Sequence, residues 1–159
     1  MTPEPAIVQF RPASDADLPY LLALRQRTMD PHFHAAGLPC AESDHWLRIH
    51  LRYDCAQLIL LGGQPVGLLK LVQEGAIWDL IQLQLTPEVQ GSGLGSQLLR
   101  QIQHQARQAQ AAVQLSVFKS NPALRLYQRV GFVIDGEDTH SYQMRWRPER
   151  NTATSNGQP

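Results

Sequence analysis

The sequence predicts a single mixed α/β domain, and three observations carry that expectation. Apolar runs separated by glycine turn signals fill residues 57–85, as an antiparallel strand meander would. Leu94, Leu98, Ile102, Ala106 and Ala109 recur at helical spacing just after a glycine-rich loop. Beyond them, strand-like and helix-like segments alternate as far as Trp146. A chain of 159 residues is long enough for one sizeable core and short for two. The domain is expected over residues 1–147, and the polar stretch 148–159 reads as a disordered tail.

Taken in order, Ile7 to Arg11 reads as a first strand. Ser14-Asp15-Ala16-Asp17 has the form of a capping box, and Leu18, Leu21, Leu22 and Met29 continue it as one side of a helix. Pro19 fits there because it falls in the first turn. Asp30 to Pro39 carries Pro31, Gly37 and Pro39 and is expected to be a loop. Ser43 to Arg52 reads as a second helix. Gln57 to Leu61 and Val66 to Val72 are strands about the hairpin signal Gly62-Gly63. Ala76 to Leu85 is a long third strand of the meander. After the Leu94 helix, whose other side is glutamine-rich, come a strand at Val113 to Phe118 and a short helix. Asn121 and Pro122 open that helix and Gly131 closes it. Phe132 to Ile134 and Ser141 to Trp146 complete the strands.

Lysine plus arginine number 14 and aspartate plus glutamate 14, so the formal net charge is zero and no basic excess points to nucleic acid. No apolar stretch approaches membrane-spanning length, and Met1 to Phe10 has no apolar run behind a positive start. A cytoplasmic location is expected. Cys40 and Cys55 form no Cys-x-x-Cys pair and read as ordinary thiols. His32/His34 and His45/His50 lack the i, i+4 spacing of a helical zinc site, so no metal is expected.

The segment Gln90-Gly91-Ser92-Gly93-Leu94-Gly95 lies between a strand and a helix. Glycines at alternate positions let the backbone curl and turn several N–H groups inward, beside the unpaired N–H groups of the next helix. With the positive end of the helix dipole, these form an anion site suited to a pyrophosphate. The loop has no Gly-Lys-Ser/Thr ending, so it is not a Walker A loop. Ser96 stands where a dinucleotide fingerprint needs glycine, and an antiparallel meander precedes it instead of strand-helix-strand units.

The run from Leu83 to Gly95, with Gln90, Gly93 and Gly95 as its core pattern, resembles the acetyl-CoA-binding segment of the GNAT superfamily of N-acyltransferases. Asn121-Pro122, Leu126-Tyr127 and Gly131-Phe132 are similar to that family's second cofactor motif. The resemblance implies a GNAT-type fold: a mostly antiparallel sheet with one splayed parallel strand pair and about four flanking helices. It implies acetyl-CoA as co-substrate, with pantetheine between Ala76–Leu85 and Val113–Phe118. The implied contacts are backbone groups of Leu83, Gln84 and Leu85, the loop Gln90, Gly91, Ser92, Gly93, Leu94, Gly95 and Ser96, and the side chain of Asn121.

The implied reaction is acetyl transfer to a primary amine by direct attack, since no residue reads as an activated Ser, Cys or Lys nucleophile. A lysine-like amine with pKa about 10.4 must lose a proton, and a departing thiolate of pKa about 8.5 gains from a proton donor. Tyr127 matches the tyrosine that commonly serves as general acid. Asp79, an acid inside the apolar strand Ile77-Trp78-Asp79-Leu80-Ile81, is the candidate base, and a water held by Gln82 or Gln84 is the alternative. His32, Phe33, His34 and Trp46 fall where the family lines its acceptor pocket, and Trp78 is a further candidate there. The partner is an amine-bearing acceptor left unidentified, and a homodimer is compatible with the family. A non-catalytic acyl-CoA-binding module of the same fold would carry the same motifs.

Overall fold

The computed structural model describes residues 7–149. Most of the tail expected at 148–159 lies outside them. The described chain forms one seven-stranded sheet flanked by four α-helices. Strand β1 (Val8–Pro12) leads through a one-turn 3-10 helix (Asp15–Asp17) into helix α1 (Leu18–Ala35). The capping box forms as expected: the Ser14 N–H donates to Asp17 Oδ2 at 2.8 Å. Helix α2 (Glu42–His50) follows, then β2 (Ala56–Leu61), β3 (Gln64–Val72) and β4 (Ile77–Leu85) as an antiparallel meander. Helix α3 (Leu94–Gln108), β5 (Ala112–Phe118), α4 (Ala123–Arg129), β6 (Val133–Glu137) and β7 (Ser141–Trp146) complete the order.

The loop expected at Asp30 to Pro39 is helical for its first half. Helix α1 runs through Pro31 to Ala35 and closes with Ala36 and Gly37 N–H groups on the carbonyls of His32 and His34. Pro31 removes one ladder hydrogen bond, which favours a break. Tertiary contact offsets it: Phe33, two residues on, packs edge-on against Phe118 with ring centroids 5.2 Å apart. The second helix ends at His50, earlier than expected, because Arg52 adopts a left-handed backbone with φ 51°.

The strand order β1-β2-β3-β4-β5-β7-β6 is antiparallel everywhere except between β4 and β5. Those two pair only at Ile77–Asp79 against Ala112–Gln114. Past Leu80 and Leu115 they share no ladder, so the middle of the sheet opens.

Each sheet face has its own core. Ile59, Leu69, Trp78, Leu80, Val113 and Leu115 pack beneath α3 and α4. Leu58 and Leu68 point the other way, against Leu21, Leu24 and Ile49 of α1 and α2. This follows from side chains alternating across a strand. A bulge interrupts the alternation in β4: Leu80 pairs with Leu71 and Gln82 with Lys70, so Ile81 is an extra residue. Before it, even-numbered Trp78 and Leu80 face α3. After it, Gln82 and Gln84 face α1 and α2, beside their pairing partners Lys70 and Leu68.

Candidate active site

The opening between β4 and β5 leaves one strand edge bare. Thr86 N–H donates to Val66 O on β3 at 2.8 Å, so by the period of two Gln84 also directs its backbone to β3. The backbone groups of Leu83 and Leu85 therefore face the gap. Gln90 Nε2 donates to Leu85 O at 3.0 Å and ties the loop back to the strand end.

The loop turns where Gly93, at φ 89°, forms the N-cap of α3. That left-handed backbone favours glycine. The N–H groups of Gly93, Gly95 and Ser96 open the helix and have no carbonyl one turn back to bond. Gly95 is there for a second reason. A Cβ on it would sit 2.8 Å from Leu126 Cδ2, so its missing side chain lets α3 begin against α4.

Loop and bare strand edge line one cleft of about 600 Å³. Leu83, Gln84, Leu85, Gln90, Gly91, Gly93, Gly95, Ser96, Asn121 and Tyr127 all reach it, and so does His32 from α1. Two loop residues expected to bind, Ser92 and Leu94, do not line it. Leu94 is buried in the core, and Ser92 turns its hydroxyl back to Val89 O. Asn121 Oδ1 accepts the N–H of Ala123 at 2.9 Å and so caps α4. The cleft also has a basic wall that the sequence reading missed, from Arg125 and Arg129 on α4 and Arg27 on α1. The i, i+4 spacing of Arg125 and Arg129 was the available signal. Arg27 Nη2 holds Glu88 Oε1 at 2.7 Å, joining α1 to the turn before the loop.

A second recess, about 310 Å³, lies on the α1/α2 side of the same opening. Met29, Leu83, Gln84, Asn121 and Tyr127 line both spaces. Tyr127 is 8% exposed, and burial pushes its phenol up to about 12. Its hydroxyl has no hydrogen-bond partner among the described residues, so it is free to donate at the junction. Phe33 lines this recess beside Phe118.

Asp79 stands apart from Tyr127, where β4 and β5 are still paired. It accepts a hydrogen bond from Gln114 Nε2, and Gln114 Oε1 accepts from Arg145 Nη2 at 3.2 Å. It lines a groove of about 600 Å³ that shares Arg48, Ile81 and Ser116 with the recess. The remaining aromatic and histidine candidates reach neither cleft nor recess. Trp78 is buried under α3 on the opposite face of the sheet, because the bulge comes after it. Trp46 stacks on His50 and donates its indole N–H to Glu42 at 3.2 Å. His34 Nε2 lies 3.1 Å from Cys40 Sγ. Among the described residues no three His, Cys, Asp or Glu side chains converge as metal ligands, and no helix is long and apolar enough to cross a membrane.

Solved structures share this architecture at low identity, which speaks to the fold. The PaiA N-acetyltransferase of Thermoplasma acidophilum, in complex with coenzyme A, superposes with a TM-score of 0.69 at 18% identity, over 89% of this chain and 99% of that one. Ard1 of Thermoplasma volcanium gives 0.65 at 17% identity, over 90% and 99%. The ribosomal-protein-S18-alanine N-acetyltransferase of Escherichia coli gives 0.64 at 19% identity, over 91% and 96%. No curated protein matches the sequence. The family model of the acetyltransferase (GNAT) family matches residues 19–132, from the first turn of α1 through both motifs to Phe132, and this chain belongs to that family.

Proposed function

We propose that the chain moves an acetyl group from acetyl-CoA to a primary amine by direct attack at the junction of cleft and recess. One observation carries this reading: Tyr127 and the bare edge of Leu83 line both spaces, where cleft and recess join. The cleft fits the donor. Its loop offers backbone N–H groups at a helix start, and Arg125 and Arg129 add charge for phosphates. The gap-facing N–H groups of β4 suit the pantetheine amides and the thioester oxygen, where negative charge develops during attack.

The amine enters from the recess. Its nitrogen forms a bond to the thioester carbon as the C–S bond breaks, and the proton lost from nitrogen balances the one gained by sulfur. A phenol at about 12 stays protonated across the working range. It lies well above an ordinary thiol near 8.5, so complete transfer to the thiolate is uphill. Tyr127 therefore acts by hydrogen bonding to sulfur as its charge grows. Gln84, which lines both spaces, holds the water that takes the amine proton, and Asp79 in the adjoining groove stabilises the positive charge formed.

The test is Tyr127→Phe, assayed by thiol release with an acceptor active in the wild type. Turnover is expected to fall about 10²-fold or more with acetyl-CoA affinity kept, the span usual for a general acid. Unchanged turnover would remove Tyr127 from the chemistry. Acetyl-CoA binding without transfer across a broad amine panel would favour a non-catalytic acyl-CoA module.

A further inference from the structure

Inside the recess a guanidinium is buried without a salt-bridge partner among the described residues. Arg25, on α1, is 6% exposed, and its Nε has no hydrogen-bond partner. The nearest π-face is Phe33, with the guanidinium carbon 5.9 Å from the ring centroid. A second guanidinium, Arg48 of α2, stands at the rim and donates at 3.3 Å to Ile81 O on the bulge. Neither arginine joins a salt bridge among the described residues.

The acid near them is already engaged by another side chain. Asp30, the acid facing Arg25, is held by His45 Nε2 at 2.7 Å. Lys70 is fully buried and adds a third positive group, spent on the carbonyls of Arg48, Ile49 and Leu51. Gln82 pairs in register with Lys70, is 6% exposed and lines the recess, and both its amide oxygen and nitrogen lack partners. A buried charge and a buried amide left unpaired each cost stability. Together they describe a site suited to an anionic guest. The guest is not a coenzyme A phosphate, because neither arginine nor Gln82 lines the donor cleft.

We propose that the acceptor is a small amine bearing a carboxylate, which Arg25 grips with Arg48 and the Gln82 amide while its amino group reaches Tyr127. This rests on the acetyl-transfer reading for the amino group, but carboxylate binding stands apart from it. A guanidinium presents paired donors that match a carboxylate's two oxygens, and a recess of about 310 Å³ suits a free amino acid better than a protein chain.

The test has two arms on the full chain with coenzyme A saturating. In the first, thermal shift compares glycine with glycinamide and succinate with succinamide. The carboxylates are expected to raise the melting temperature and the amides to leave it unchanged. Arg25→Met should abolish the difference, and Arg25→Lys should restore part of it. Should Arg25→Met fail to fold, Gln82→Met and Arg48→Met are expected to weaken it separately. In the second arm, thiol release is compared for L-amino acids, their carboxamides, and peptides with an acidic residue after the N-terminus. Free amino acids are expected to react at least tenfold better than their carboxamides, chiefly through KM. Equal stabilisation by acid and amide, or equal rates, would overturn the proposal. A preference for acidic peptides over free amino acids would overturn the small-molecule assignment. Carboxylate binding without transfer to any amine would instead sink the acetyl-transfer reading and leave this site standing.

Discussion

The two sides of the β4–β5 opening are built of different material. The proposed donor side is mostly backbone: a bare strand edge at Leu83 and Leu85, a left-handed glycine at 93 and the first N–H groups of α3. The proposed acceptor side is mostly side chain: Arg25, Arg48, Gln82 and Phe33, brought from α1, α2 and β4. Backbone donors need particular φ values and glycines, so they imprint a local pattern on the sequence. Side-chain sites need only that distant residues converge.

The largest effect separating the sides is expected from Gly93→Ala. At φ 89° an added Cβ strains the backbone by about 1–2 kcal/mol, although no atom stands within 4 Å of it. The loop relieves the strain by turning its N–H groups away. Acetyl-CoA affinity should fall about tenfold, since 1.4 kcal/mol is a factor of ten. Carboxylate binding in the recess should not move. Calorimetric titration with acetyl-CoA checks the first and thermal shift the second. Unchanged acetyl-CoA affinity would mean that the loop does not hold the pyrophosphate.

Lys70 gives a smaller effect, confined to the acceptor side. Burial, with help from Arg48, lowers its pKa from 10.5 to about 8. Between those values the unfolded chain holds a proton that the folded chain has released. Stability therefore rises with pH across that window, by at most about 1.4 kcal/mol per pH unit. The gain is complete above the unfolded value, and the charged amine's cost is fully present below about 8. Urea melts from pH 7.5 to 9.5 should show the rise in the wild type and a flatter profile in Lys70→Met. Equal slopes would show that Lys70 is not the group responsible.

The same contrast governs what the sequence disclosed. Gln90, Gly93, Gly95, Asn121 and Tyr127 converge on one cleft as expected, because each belongs to a short motif whose spacing sets its geometry. The meander was legible from Gly62-Gly63 and the apolar runs around it. Helix α1 beyond Asp30 was not, since Pro31 argues locally for a stop and tertiary contacts such as Phe33–Phe118 override it. Trp78 was expected on the acceptor side, but it precedes a bulge at Ile81 that simple alternation along β4 does not reveal. Arg25 and Arg48 gave no local signal, and Gln82 stood out only as a holder of water. Each sits in an ordinary amphipathic segment, and only tertiary structure shows that they meet.

Asp79 is the test that joins the two sides, and the smallest effect expected. Strand β4 gives backbone to the donor and side chains to the acceptor, and Asp79 lies where the strands are still closed. On the proposed reaction its carboxylate would act on the amine across the groove rather than by contact, and Gln114, which donates to it, also accepts from Arg145. Asp79→Asn should therefore lower turnover only a few-fold, mostly at low pH, where deprotonating the amine is hardest. A loss of 10²-fold or more would instead mark Asp79 as the direct base. It would also require the amine to sit deeper in the groove than the Arg25 recess allows. A pH–rate profile identical to the wild type would leave Asp79 with only its place in the Gln114–Arg145 network, and the amine proton to water at Gln84.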